Sequence, residues 1–215
     1  MLVLGLDTCL SSCSVAVLDG ERVLACAREV MARGHQERLA PMAQSVMADA
    51  GLSFDRLERI AVTVGPGSFT GLRVGIAFAK GLALALDIPV VGVGSLAALA
   101  QGRLGLILAA ADARRGQVYW QAFDGGAALT EPAVSPIEDA AAFFHLPPEG
   151  EGKEILVIGP GAALFEGLFP RATIVAIDAA DPVSVARLAQ VSDDPPAPLY
   201  LRAPDAKLPG GIDPA

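Results

Sequence analysis

Histidine is nearly absent from these 215 residues: only His35 and His145 occur, and neither stands beside Ser11, Ser12 or Cys13. A nucleophile at those positions therefore has no base next to it in sequence. Cysteine is equally sparse. Cys9, Cys13 and Cys26 form no C-x-x-C pair and have no neighbouring histidine to complete a zinc set, so they read as reduced thiols. Basic charge is thin as well, with 16 Lys and Arg against 24 Asp and Glu and a net charge of -8. Beyond Arg114-Arg115 the positive residues are scattered, which excludes a strong grip on nucleic-acid phosphates by this chain alone. Aromatics make up 5% of a composition that is 53% hydrophobic, so the interior is built from Ala, Val, Leu and Ile. Such a core suits helices packed closely on a buried parallel sheet. The long apolar stretch Val74 to Val93 is broken by Lys80, Asp87 and Pro89, which argues against a membrane span. Met1 leads straight into LVLGLD without a basic leader, and the expected location is the cytoplasm.

What is present has a regular plan. Leu2 to Asp7 and Ser14 to Leu18 read as strands joined by a small polar link, and Arg22 to Val30 as a third strand after Asp19-Gly20. Apolar residues recur at helical spacing from Gln36 to Ala50, with Pro41 placed in the first turn or so and Gly51 as the C-terminal cap. A strand at Arg59 to Val64, a helix at Phe69 to Leu86 and a strand at Ile88 to Val93 then make a right-handed crossover.

The second half repeats this order. Leu104 to Ala111 runs to Asp112, turns at Arg114 to Gly116 and returns as Gln117 to Phe123. A strand at Ile155 to Ile158, a second Gly-Pro-Gly, a helix to Leu168, a strand at Thr173 to Ile177 and a helix from about Val183 to Val191 follow. The reading is α/β: two related halves, each a mixed sheet flanked by helices, spanning 1–103 and 104–194, with a tail at 195–215. Two Asp-bearing hairpins resemble the plan of the duplicated actin-like, RNase H-like (ASKHA) fold, whose hairpin turns cradle nucleotide phosphates; fold alone fixes no activity.

Gly65-Pro-Gly-Ser-Phe-Thr-Gly-Leu-Arg-Val-Gly75 is the sharpest motif. It lacks the Lys and Ser/Thr of a Walker A loop, and Gly71 comes one residue late for a dinucleotide fingerprint. A packing role fits better: Gly71, Gly75, Ala79 and Ala83 repeat every fourth residue and flatten one side of the helix. Glycine within a helix costs roughly 1 kcal/mol relative to Ala, so Gly75 and Gly81 require a compensating contact. The rest of this helix is apolar on most sides and should be covered on more than one of them. Together with the helix edged by Met42 and Met47 it could either cover the sheet or present a surface to another chain.

With LGLDT at the start, H-x-x-R-L-x-P-M at His35 to Met42, DARRGQVYW at Asp112 to Trp120 and P-x-Y-L-R at Pro198 to Arg202, that motif makes the chain resemble the TsaB (YeaZ) family from end to end. The resemblance implies a non-catalytic subunit of the machinery that forms threonylcarbamoyladenosine at tRNA position 37. Its implied partners are a TsaD-like catalytic homologue and a TsaE-like ATPase, with a homodimer when alone and tRNA bound only through the complex. It also implies that the two first-half helices form the interface. The residues expected there are Leu39, Met42, Ala43, Val46 and Met47 on the first helix, and Gly71, Val74, Gly75, Phe78, Ala79 and Leu82 on the second.

A catalytic relative is expected to bind metal through two histidines one helical turn apart, and His35 has Arg38 and Leu39 where a second ligand would stand. No cofactor or metal is therefore expected on this chain; ATP or ADP and metal belong to the partner subunits. Asp7 and Asp112 are the candidate nucleotide-proximal acids, with turn capping as their other reading. Arg114, Arg115 and Arg202 are the candidate tRNA contacts once a partner completes a basic surface. Two alternatives stay open, an ATP-dependent enzyme of the actin-like superfamily and a peptidase-like relative.

Overall fold

The meander opens as the sequence indicates: Leu2–Asp7 (β1), Ser12–Asp19 (β2) and Arg22–Val30 (β3) pair antiparallel. In this computed structural model, which describes residues 1–145, 154–169, 171–189 and 193–202, Arg59–Gly65 (β4) and Val90–Gly94 (β5) add in parallel beyond β1. The resulting order is β3-β2-β1-β4-β5.

β1 is apolar without alternation because both of its faces are covered. Leu4 and Leu6 pack under His35–Asp49 (α1) and Phe69–Leu86 (α2). Val3 faces the other way, toward Ser95–Ala100 (α3) and Pro182–Leu188 (α5). α1 stops at Gly51, whose φ of 68° is open to glycine; Leu52 N–H donates to Met47 and Gly51 N–H to Ala48, closing the last carbonyls. Pro41 lies in the second turn rather than the first, with its ring exposed.

In the second sheet Leu106–Arg114 (β6) and Gln117–Asp124 (β7) repeat the hairpin, with the short strands Ala127–Ala128 (β8) and Ala133–Pro136 (β9) on β7. After Ile137–His145 (α4), Ile155–Ile158 (β10) and Ala172–Val175 (β11) lie parallel to β6. The helix expected up to Leu168 is a single 3-10 turn, Ala162–Phe165, so the repeat is shortened where α2 has its counterpart. The last helix also departs from the linear plan. Although it belongs to the 104–194 stretch, α5 packs on the first sheet, with Ala186 and the Pro182 carbonyl filling the space above Gly5. The two halves are thereby tied through a common core that includes α3, α5 and β6.

The closing segment is docked on the surface as far as Arg202. Asp193 pairs with Arg59 at 2.9 Å, the Asp194 carbonyl accepts from Gly92 on the edge strand β5, and Leu199 N–H donates to Val64 at 2.7 Å. The remainder of the expected tail lies outside the described residues.

Candidate functional site: a helix face and the cleft beside it

The flat stripe on α2 faces inward. Gly71 sits against the Thr8 carbonyl with no room for a side chain, and a Cβ on Gly75 would stand 2.5 Å from Thr8 Oγ1. Thr8 Oγ1 in turn donates to the Gly71 carbonyl at 2.8 Å. The small residues therefore admit the β1–β2 link of the same chain, and Gly71, Gly75 and Ala79 are corrected from partner contacts to internal ones. The same correction applies on α1: Leu39, Met42, Ala43, Val46 and Met47 are buried in the core beneath the helix, since an apolar stripe on a surface helix points first at its own sheet. Of the eleven expected interface residues, Val74, Phe78 and Leu82 retain partial exposure.

The outward face of α2 carries a second stripe at the same spacing: Phe69, Arg73, Ala77, Gly81 and Ala85, all exposed. Leu84 beside it is 85% exposed, and among the described residues nothing lies within 4 Å of a Cβ built on Gly81. By length and apolarity α2 is the one described helix that could cross a membrane, but its inner residues are seated on the sheet and Arg73 and Lys80 stand on the outer side.

At the N-terminal end of α2 a cleft of about 620 Å³ separates the two hairpins. Cys9, Leu10 and Ser11 form one wall, Asp112, Arg114 and Tyr119 the other, with Ser68 and Phe69 at the start of α2 and Leu199 to Arg202 across the side. The two Asp residues have the same local bond: Asp7 Oδ1 accepts from Cys9 N–H at 2.9 Å, and Asp112 Oδ1 from Arg114 N–H at 2.7 Å. Both are turn caps two residues long. They differ in access. Asp7 is fully buried, holds Thr63 Oγ1 at 2.7 Å and is absent from the cleft wall, whereas Asp112 is exposed on it. Asp7 is thus corrected from a cleft acid to a buried anchor.

Solved structures of known proteins share this fold. YeaZ from Pseudomonas aeruginosa superposes with a TM-score of 0.76 at 31% identity, covering 93% of this chain and 99% of that one. This chain belongs to the TsaB/YeaZ family. A family model described as TsaD, tRNA N6-adenosine threonylcarbamoyltransferase, matches residues 28–181. TsaB of Escherichia coli, a tRNA threonylcarbamoyladenosine biosynthesis protein, is 42% identical over 56% of this chain and 54% of its own length. A Mycobacterium leprae protein is 37% identical over 96% of the chain, which spans 56% of that relative. The fold is actin-like: the activator of 2-hydroxyisocaproyl-CoA dehydratase from Clostridium difficile shares it at a TM-score of 0.52 and 11% identity.

In this TsaB-family chain the three arginines singled out from sequence converge on the second hairpin. Arg114 and Arg115 occupy its exposed tip in left-handed conformations, and Arg202 Nη1 donates to the Ala113 carbonyl at 2.7 Å. What sequence reasoning missed is the outward set of Ala77, Gly81, Leu84 and Ala85. Its signal was present in Gly81, the helical glycine whose open side meets nothing within 4 Å among the described residues.

Burial raises the proton affinity of Asp7 above its ordinary value of 3.8, against the opposing pull of the Thr63 bond, the Cys9 amide, Arg28 and His35. A carboxyl that binds its proton more tightly folded than unfolded contributes less to stability as pH rises from the unfolded value through the folded one. Urea unfolding of wild type and Asp7→Asn across this range should therefore show the wild type losing ground to the Asn variant as pH increases. A difference that stays flat, or moves the other way, contradicts the burial argument.

Proposed function

We propose that this TsaB-family chain is a non-catalytic subunit in threonylcarbamoyladenosine synthesis at tRNA position 37, docking a TsaD-type catalytic homologue through the outer face of α2. The observation that carries this reading is Gly81. A glycine in the middle of an 18-residue helix costs about 1 kcal/mol, and its open side, flanked by Ala77, Ala85 and exposed Leu84, offsets that cost when another helix approaches closely. Val74, Phe78 and Leu82 flank the same contact. In the absence of the partner the face joins two copies of this chain.

A TsaE-type ATPase completes the machinery, and ATP or ADP and metal are held by those partners. This chain supplies no cofactor site in the proposal, which the sealed position of Asp7 supports. Among the described residues it leaves Asp112 without the second cleft carboxylate that the phosphoryl-transfer alternative requires. The setting is cytoplasmic, where tRNA and its modifying subunits meet.

Mixing the chain with a TsaD-type homologue and following both by size-exclusion chromatography tests the pairing: a joint peak is expected, and separate elution contradicts it. The exposed tip of the second hairpin is proposed to touch tRNA once the partner supplies further positive charge. Reversing Arg114 and Arg115 to Glu should weaken tRNA binding by the assembled complex and flatten its log–log salt dependence by about two. An unchanged slope removes the hairpin from the tRNA path.

A further inference from the structure

The segment that ends the described chain joins both halves at the mouth of the cleft. On the first half, Leu199 N–H donates to the Val64 carbonyl, and the Tyr200 ring lies 5.2 Å from that of Phe69. Arg73 completes the cluster, with its guanidinium 3.8 Å over the Phe69 ring and its Nε donating to Tyr200 Oη at 3.3 Å. On the second half, Arg202 reaches Ala113 at 2.7 Å. Leu199, Tyr200, Leu201 and Arg202 all line the cleft, as does Cys9.

We propose that Leu199 to Arg202 is a strap that bridges the two halves across the mouth of the cleft, and that releasing it uncovers the cleft wall at Cys9. The strap has an anchor of a different kind on each side. An aromatic and cation cluster fixes it to α2, and a charged donor on a backbone carbonyl fixes it to the second hairpin. Cutting the second anchor leaves the first in place, so the segment stays attached to the first half while its tie across the cleft mouth is lost; the common core still joins the halves. Phe69 and Arg73 also begin the outward stripe of α2, so the strap and the proposed partner face share two residues.

The three cysteines report on this independently of any partner. Cys26 is exposed, Cys9 is buried at the cleft, and Cys13 is buried in the core beneath α1, off the cleft wall. The full-length wild type and Arg202→Ala are pulsed with iodoacetamide at constant pH, and alkylation at each cysteine is followed by mass spectrometry. Arg202→Ala should label Cys9 about tenfold faster, through local opening, while Cys26 keeps its rate and Cys13 stays protected. Tyr200→Ala, which frees the other anchor, should do the same. Unchanged Cys9 labelling in both variants overturns the strap. So does a parallel rise at Cys9 and Cys13, because that pattern is general loosening of the first half.

Discussion

Replacing Gly81 by Arg should abolish pairing with the TsaD-type homologue while leaving the free chain as stable as wild type or slightly more so. The two effects have separate causes. A Cβ at Gly81 meets nothing among the described residues, and a helical interior prefers Arg to Gly by roughly 1 kcal/mol, so unfolding shifts toward higher denaturant. At the interface the long charged side chain would stand where a partner helix must approach, beside Leu84. Central interface substitutions cost about 2–4 kcal/mol, or roughly 30- to 1000-fold in affinity. Titration calorimetry and urea melts on one preparation measure both; an affinity equal to wild type removes this face from the interface.

Gly71→Val should have the opposite profile, a large loss of fold stability. Its new side chain would enter the Thr8 carbonyl, a backbone atom at the link between two central strands that cannot rotate away. Overpacking of this kind costs about 3 kcal/mol or more. Chemical denaturation should show that drop, and a variant as stable as wild type would mean that α2 does not seat on Thr8. Gly75→Arg or Val46→Glu would act in the same way, by disrupting the core, and so would not probe the outer face.

These two glycines show where sequence reasoning reached and where it stopped. A four-residue period of Gly and Ala marks a helix side on which something comes close, and α2 has two such sides. Periodicity gives their spacing but not which one meets the sheet; that is decided by Thr8, sixty-three residues before Gly71 in the hydrogen bond that joins them. The hairpins, the crossover and the repeated Gly-Pro-Gly were legible because each rests on local turn chemistry or on strand-length apolar runs. The return of α5 onto the first sheet was not, since Pro182 and Ala186 complement the bare surface of Gly5 only in three dimensions. Asp7 and Asp112 looked alike for a good reason, as both cap two-residue turns. Only burial separates them.

Pro198 to Arg202 shows the same division. In sequence it served as a family signature, with Arg202 a candidate tRNA contact, but not as a bridge, because its contacts are with Val64, Phe69, Arg73 and Ala113, all far away along the chain. Once those are in place, the Tyr and the Arg have distinct partners on different halves.

The central claim is that this chain enables a catalytic homologue rather than performing transfer itself. The most direct test is reconstituted threonylcarbamoyl transfer to tRNA with the TsaD-type and TsaE-type subunits, run with wild-type chain, with Gly81→Arg and with none. The account predicts modification with wild type and loss of it in the other two mixtures. Equal modification without this chain, or transfer by this chain with both partners omitted, would contradict it.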